Sequence, residues 1–407
     1  MMITVQEAHR LINQSVAALG MEELPLDQLQ ERVLAREVRA PFSLPRFTNS
    51  AMDGFALKWS DISAASRESP VRLQVTDKIP AGTLSTLPVS SGGCAEIMTG
   101  APMPEGADTV VAFEESSGFG MEFVKIYKAQ KKGANVRYSG EEVALDEIVL
   151  QKGFSLSPAE IAVLASFGFA SAPVHKKPRV AIVTVGDEVR NPGEELSGAE
   201  IYNCNRFLLE SACRSLGIEP VMVRHAPDDR ELLREVLALA LNECDLLITV
   251  GGISSGEYDF VQQELSALGV TKKFWKIAQK PGKPLYFGSS NEGKAVFSLP
   301  GNPVSALVCF VEYCLPALSA LAGKPAPVKF CAALAEPFTS DKKRHRFLLG
   351  TVWAEEGQLL CKASLKVESH MITAFVGSNC LIEAEPSIEP LSRGSQVLCT
   401  MLPWSKR

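Results

Sequence analysis

The sequence predicts a multidomain α/β plus β protein built around a mainly parallel sheet. From Pro178 onward, short apolar strands alternate with amphipathic helices. Between Arg39 and Ser139, short Val/Ile/Phe runs are broken by Gly, Pro and Ser clusters, the pattern of a β-rich insert. A chain of 407 residues also exceeds what one hydrophobic core supports, which sets a prior of roughly two to four domains.

Taken in order, Thr4 followed by Glu7 has the spacing of a capping box and predicts a helix to about Ala18. In the insert, Arg72 to Val75 and Phe123 to Ile126 read as strands. Ser157, Pro158 and Glu160 mark a second helix start, stapled by Leu156 and Ile161. Arg179 to Thr184 predicts a strand, Asn205 to Leu216 a helix stopped by Gly217, and Val221 to Arg224 a short strand. A helix opens at Asp228 to Glu231, and Asp245 to Val250 and Val296 to Leu299 are further strands. After the linker Gly323 to Pro327, runs such as Val328 to Cys331 and Ser395 to Leu398 predict a separate small β domain.

Composition narrows the function. A net charge of -6 and a pI near 5.6 provide no basic field for nucleic-acid phosphates. Apolar stretches such as Ala306 to Val311 and Val236 to Leu241 fall short of the about 20 residues a bilayer crossing needs. Glu7, His9 and Arg10 interrupt any signal-like start, so a soluble cytoplasmic protein is expected. Ten cysteines contain no C-x-x-C pair, and no disulfide framework or metal cluster is expected.

In open α/β sheets, ligands bind outside the carboxyl ends of the strands. Four turns stand out there: Thr184 to Glu188, Gly251 to Asp259, Lys276 to Pro284, and Pro300 to Ser305. Gly251, Gly252 and Gly256 let backbone approach an anion, with Ser254 adding a hydroxyl donor; an ordinary Gly-rich turn gives the same pattern by itself. Neither Walker A nor G-x-G-x-x-G spacing is present. Lys276, Lys280 and Lys283, with Pro281 and Pro284 restricting their backbone, suit phosphate or another oxyanion as point charges. Asn302 before Pro303 reads as a helix N-cap whose amides face the same edge. Glu188, Asp228 and Asp259 offer hard oxygens for Mg²⁺, and Asp228 equally suits an N-cap.

Several motifs, in order, make the chain resemble the molybdopterin molybdenumtransferases, a family that includes the C-terminal domain of gephyrin. They are Pro45 to Ala56, Ile97 to Pro102, Gly140 to Glu142, Gly186 to Glu188, Gly251 to Asp259, Lys280 to Pro284 and Leu299 to Ser305, spanning nearly the full length. The resemblance implies an elongated homodimer of four-domain subunits. The molybdopterin-binding α/β domain takes 1–20 and 167–325, a small linking domain 21–40 and 141–166, an inserted β-rich domain 41–140, and a C-terminal β-barrel-like domain 326–407. It implies a reaction that takes adenylated molybdopterin and molybdate, depends on Mg²⁺, releases AMP and leaves molybdenum on the dithiolene. The upstream adenylyltransferase and cofactor-accepting molybdoenzymes are the partners it suggests.

By motif matching, Asp53, Thr99 and Glu142 join Glu188, Asp228 and Asp259 as catalytic residues. Lys276, Lys280, Pro300, Pro303 and Ser305 would hold substrate, with Arg344 and Ser369 contributed from the C-terminal domain. The cleft would be shared between one subunit's α/β domain and the other's insert. The sequence departs from the family pattern at Asn203, where Asp is usual, at Ser255 in place of Val, at Lys343 in place of a Gly before Arg344, and at Leu349 where a second Arg is common. Adenylation of molybdopterin from ATP on the same fold, and a non-catalytic scaffold, are the alternative activities.

Overall fold

A computed structural model describes residues 2–253 and 260–405. At its centre is a six-stranded sheet made of β1 (Val180–Val185), β2 (Met222–Ala226), β3 (Leu246–Val250), β4 (Thr271–Trp275), β5 (Tyr286–Ser289) and β6 (Ala295–Leu299), in the order β2-β1-β3-β6-β5-β4. The first four strands run parallel, and β5 and β4 complete the sheet antiparallel. Alternation decides which side each residue buries. Val180 and Ile182 pack with helices Val5–Ser15, Cys204–Ser215 and Pro303–Cys309, while Ala181, Val183 and Val185 pack with Arg230–Glu243 and Val261–Ala267. The helical run Pro303–Leu321 has the length and hydropathy of a membrane span, but 83% of its apolar window is buried inside this core.

Side-chain caps open helices Val5–Ser15, Pro158–Ser166, Cys204–Ser215 and Arg230–Glu243, and cap geometry corrects three expectations. Ser157 and Glu160 form the full reciprocal box. Thr4 accepts from the Glu7 amide at 3.1 Å, but the Glu7 carboxylate turns to Arg10 at 2.6 Å, and the helix ends at Ser15 rather than near Ala18. The cap of helix Arg230–Glu243 is Asp229, accepting from Glu231 and Leu232, so Asp228 is released from that role. Asn302 occupies the cap position of its helix, yet its side chain makes no cap bond and reaches Ser369 instead.

The insert carries a five-stranded sheet, in the order Thr109–Ala112, Gly54–Leu57, Gly93–Ile97, Val71–Ile79 and Phe123–Ile126. Strands Met21–Pro25 and Ser171–His175 pair antiparallel and, with helix Pro158–Ser166, surround a small separate core. At the C-terminus β7 (Lys329–Leu334), β8 (His345–Glu355), β9 (Gln358–Ala363), β10 (Cys380–Ala384) and β11 (Gln396–Met401) form a closed barrel, because β8 pairs with both β9 and β10. The segment Gln279–Lys280 adds to β8 in parallel, setting Lys280 opposite Arg346. That pairing ties a loop of the α/β sheet directly to the barrel.

Candidate active site

All four parallel strands end at one edge, where a cleft of about 690 Å³ opens. Glu188, Asp228, Gly251, Gly252, Pro300, Asn302 and Pro303 line it together, although 115 positions separate the first from the last. Backbone and side-chain bonds fix this convergence. The Gly251 amide donates to the Leu299 carbonyl at 3.1 Å, joining two strand ends. Asp187 and Asp228 each accept from the other's amide, at 3.0 and 3.2 Å, which locks the turns after β1 and β2.

The barrel closes the cleft from the side. Ser369 accepts from Asn302 Nδ2 at 3.0 Å through its hydroxyl and from the Val304 amide at 3.1 Å through its carbonyl, and the adjacent His370 lines the cleft wall. Lys280 Nζ lies 3.4 Å from the Glu368 carboxylate. Lys276 has a left-handed backbone (φ 75°) and rests its ammonium 3.7 Å over the Trp275 ring, whose indole donates to the Ile253 carbonyl at 3.2 Å. Lys283 is exposed on the same loop, next to Pro284, a cleft residue.

Other predicted residues stand apart. Ser305 is buried within its helix. Arg344 pairs with Asp341 at 2.7 Å, and the guanidinium beside Lys280 in register is that of Arg346. Arg346 is buried, lies 5.0 Å from the Phe338 ring and has no partner for its Nε among the described residues. Ser254, Gly256 and Asp259 lie outside the described residues. In the insert, Asp53 and Thr99 are joined by hydrogen bonds, and Glu142 is exposed with its amide bonded to the Leu44 carbonyl at 3.0 Å; none of the three lines the cleft of its own chain.

Asn205 and His370 line the cleft without having been singled out, and Asn205 Nδ2 donates to the Gly301 carbonyl at 2.7 Å. The departure at Asn203 has a local explanation. Its carbonyl caps the helix by accepting from the Arg206 amide at 3.1 Å, and its amide donates to Thr184 Oγ1 at 2.8 Å. Thr184 Oγ1 is in turn 3.1 Å from His225 Nδ1. Burial, followed by the Arg190 charge, holds the His225 imidazole below its ordinary pKa. A buried carboxylate at position 203 would keep the cap but lose the donor to Thr184.

The fold and cleft define a multidomain α/β protein with an open cleft at the carboxyl edge of its parallel strands and a β-barrel packed beside it. Family models agree along the chain: the MoeA N-terminal region (domain I and II) matches residues 3–168, a probable molybdopterin binding domain matches 181–320, and the MoeA C-terminal region (domain IV) matches 332–402. Molybdopterin molybdenumtransferase 2 of Mycobacterium tuberculosis is 34% identical over 405 residues, covering 97% of this chain and 98% of its own. The molybdopterin molybdenumtransferase of Haemophilus influenzae is 33% identical over 401 residues, with 97% and 98% covered. A crystal structure of a molybdopterin biosynthesis MoeA protein from Pyrococcus horikoshii superposes with a TM-score of 0.85 at 31% identity, covering 99% of both chains. The chain belongs to the molybdopterin molybdenumtransferase family.

Proposed function

We propose that this protein inserts molybdate into adenylated molybdopterin, releasing AMP and completing molybdenum cofactor. The observation that carries the reading is the convergence of Glu188, Asp228, Gly251, Asn302 and Ser369 on one sheet edge, in a chain related over nearly its whole length to enzymes named for this transfer. The Gly252 amide and the lysines of 276–283 would neutralise phosphate and molybdate charge, with electrostatic stabilisation supplying most of the rate. Lys276, Lys280 and the Pro300 to Ser305 turn are the proposed molybdate side of the site.

Mg²⁺ fits the donors available. Mg²⁺ binds through one or two carboxylates plus phosphate oxygens and water, so it needs no protein cage, and the described residues contain no cluster of three or more ligating side chains. Glu188 and Asp228 would hold it, with Asp259 as the third candidate; when bound, it would offset charge on the phosphoanhydride. Asp53, Thr99 and Glu142 would act on the cleft of a second copy in a homodimer, with the chain divided into four domains at the boundaries given above. The cytoplasm, where molybdoenzyme acceptors and the adenylyltransferase would meet it, is the proposed location.

AMP release from adenylated molybdopterin, measured with and without molybdate and Mg²⁺, tests substrate, metal and reaction together. Turnover that needs all three supports the reading. Adenylation of free molybdopterin from ATP, or no turnover with either substrate pair, overturns it.

A further inference from the structure

We propose that Gln279 and Tyr313 are positioning residues that hold the Lys280 to Lys283 loop in its oxyanion-binding shape. The inference rests on the reading of that loop as the molybdate side of the site. Both side chains are buried in the core and neither reaches the cleft. Gln279 Nε2 donates to the Pro281 carbonyl at 3.1 Å and to the Gly282 carbonyl at 3.2 Å, which uses both amide hydrogens. Its Oε1 accepts from the Tyr313 hydroxyl in a short hydrogen bond. No backbone amide among the described residues donates to either loop carbonyl; Gln279 serves both, and the buried Cys309 thiol adds a weak bond to the Gly282 carbonyl at 3.7 Å.

Two further features make the clamp specific. Gly282 has φ +88°, and a Cβ there would lie 2.6 Å from Gln279 Nε2 and 2.6 Å from Cys309 Sγ, so the loop can press onto the amide only with glycine at this position. Tyr313 sits in the π-turn Phe310–Cys314, a rare departure from α geometry inside an otherwise regular buried helix. The clamp grips the middle of the loop, and Lys280 and Lys283 emerge on either side, half-buried and exposed respectively. A loop held this way presents its two charges without reorganising when an oxyanion arrives.

The test compares Tyr313→Phe, Gln279→Leu, Gln279→Glu and Lys280→Ala. Molybdate and adenylated molybdopterin are varied separately in the AMP-release assay, alongside calorimetric binding of molybdate alone and thermal unfolding. Tyr313→Phe keeps the ring and removes one hydrogen bond, so it is the variant expected to fold normally. Without that bond the loop populates shapes that do not bind the oxyanion, so the KM and Kd for molybdate should rise about tenfold. The KM for adenylated molybdopterin and kcat should change by less than about threefold. Gln279→Glu preserves volume but offers no hydrogens to the two carbonyls, and should weaken molybdate at least as much as Gln279→Leu.

A molybdate KM within about twofold of wild type in Tyr313→Phe and Gln279→Leu, while Lys280→Ala raises it, overturns the positioning role and spares the site assignment. An equal rise in both KM values also overturns it, since a general loosening of the core would do that. If Lys280→Ala leaves molybdate binding unchanged, the oxyanion reading of the loop has failed and this inference falls with it.

Discussion

Asp53 Oδ1 accepts two hydrogen bonds from Thr99, one from its amide at 2.6 Å and one from its hydroxyl at 2.7 Å. These bonds, the hydroxyl's first, hold the Asp53 carboxyl below its ordinary pKa on an exposed surface. An exposed carboxylate oriented in this way supports no core, and the proposed homodimer would place it at the cleft of a second copy.

Asp53→Ala and Thr99→Val should therefore leave stability within about 0.5 kcal/mol of wild type, as expected for exposed positions, while lowering AMP release. Thr99→Val retains the amide bond and should be the milder of the two. Mixing Asp53→Ala subunits with Asp228→Ala subunits should restore activity, because one cleft of each mixed dimer would contain neither substitution. Mixtures as inactive as the parents, once subunit exchange is verified by mass spectrometry, would refute a shared cleft.

Two neighbouring glycines should respond oppositely to alanine. Gly251 has φ +92°, and a Cβ there would lie 2.3 Å from the Val185 carbonyl oxygen, at the junction of two strand ends. Gly251→Ala should cost on the order of 1–3 kcal/mol in denaturant unfolding and deform the cleft floor. At Gly301 a Cβ meets only the Gly251 Cα, at 4.0 Å, so Gly301→Ala should keep wild-type stability. Equal unfolding midpoints for the two variants would contradict this account.

The sequence made the strands β1, β3 and β6 and their following turns legible, because near-continuous apolar runs end at Gly or Pro. The segment Thr271–Trp275 was not legible: three of its five residues are exposed, and its two lysines hide the strand pattern. Barrel closure depends on β8 pairing with β9 and β10, a long-range choice that no local pattern encodes. The candidate site divides the same way. Glycines and prolines at strand ends announced the cleft floor, but the Ser369 to Asn302 bond spans 67 positions and the role of Gln279 depends on Tyr313, 34 positions away. Asp228 was ambiguous until the Asp229 cap and the Asp187 pairing separated two adjacent, identical side chains.

A buried charge network predicts the acid limit of the fold. Glu383 is 2.8 Å from His345 and 2.7 Å from Lys329, which also bonds Glu312, itself 2.6 Å from His9. Burial pushes the Glu383 carboxyl up, but His345 and Lys329 outweigh it and bring the pKa to about 2 from the ordinary 4.5. A depressed folded-state pKa contributes stability that is present above about 4.5 and lost as pH falls toward about 2. The stability difference between wild type and Glu383→Gln, from urea unfolding, should thus shrink across that interval. A difference independent of pH would show that Glu383 is not charged in the folded protein.

Removing one carboxylate beside the loop should tighten oxyanion binding. Glu368 places a carboxylate 3.4 Å from Lys280 Nζ, so an incoming oxyanion must compete with it for the same ammonium. Both side chains are partly exposed, at 31% and 46%, and such ion pairs are worth about 0.2–1 kcal/mol. Glu368→Gln should accordingly lower the Kd for molybdate by roughly 1.4- to 5-fold, with the larger gain at low ionic strength where screening is weakest. Removing a negative charge beside Arg346 acts in the same direction, because Glu368 is one of the carboxylates whose field reaches that buried guanidinium. Since neither Lys280 nor Arg346 is altered, weaker molybdate binding in Glu368→Gln would mean that Glu368 orients Lys280 rather than competing for it; calorimetric titration at two salt concentrations separates the two outcomes.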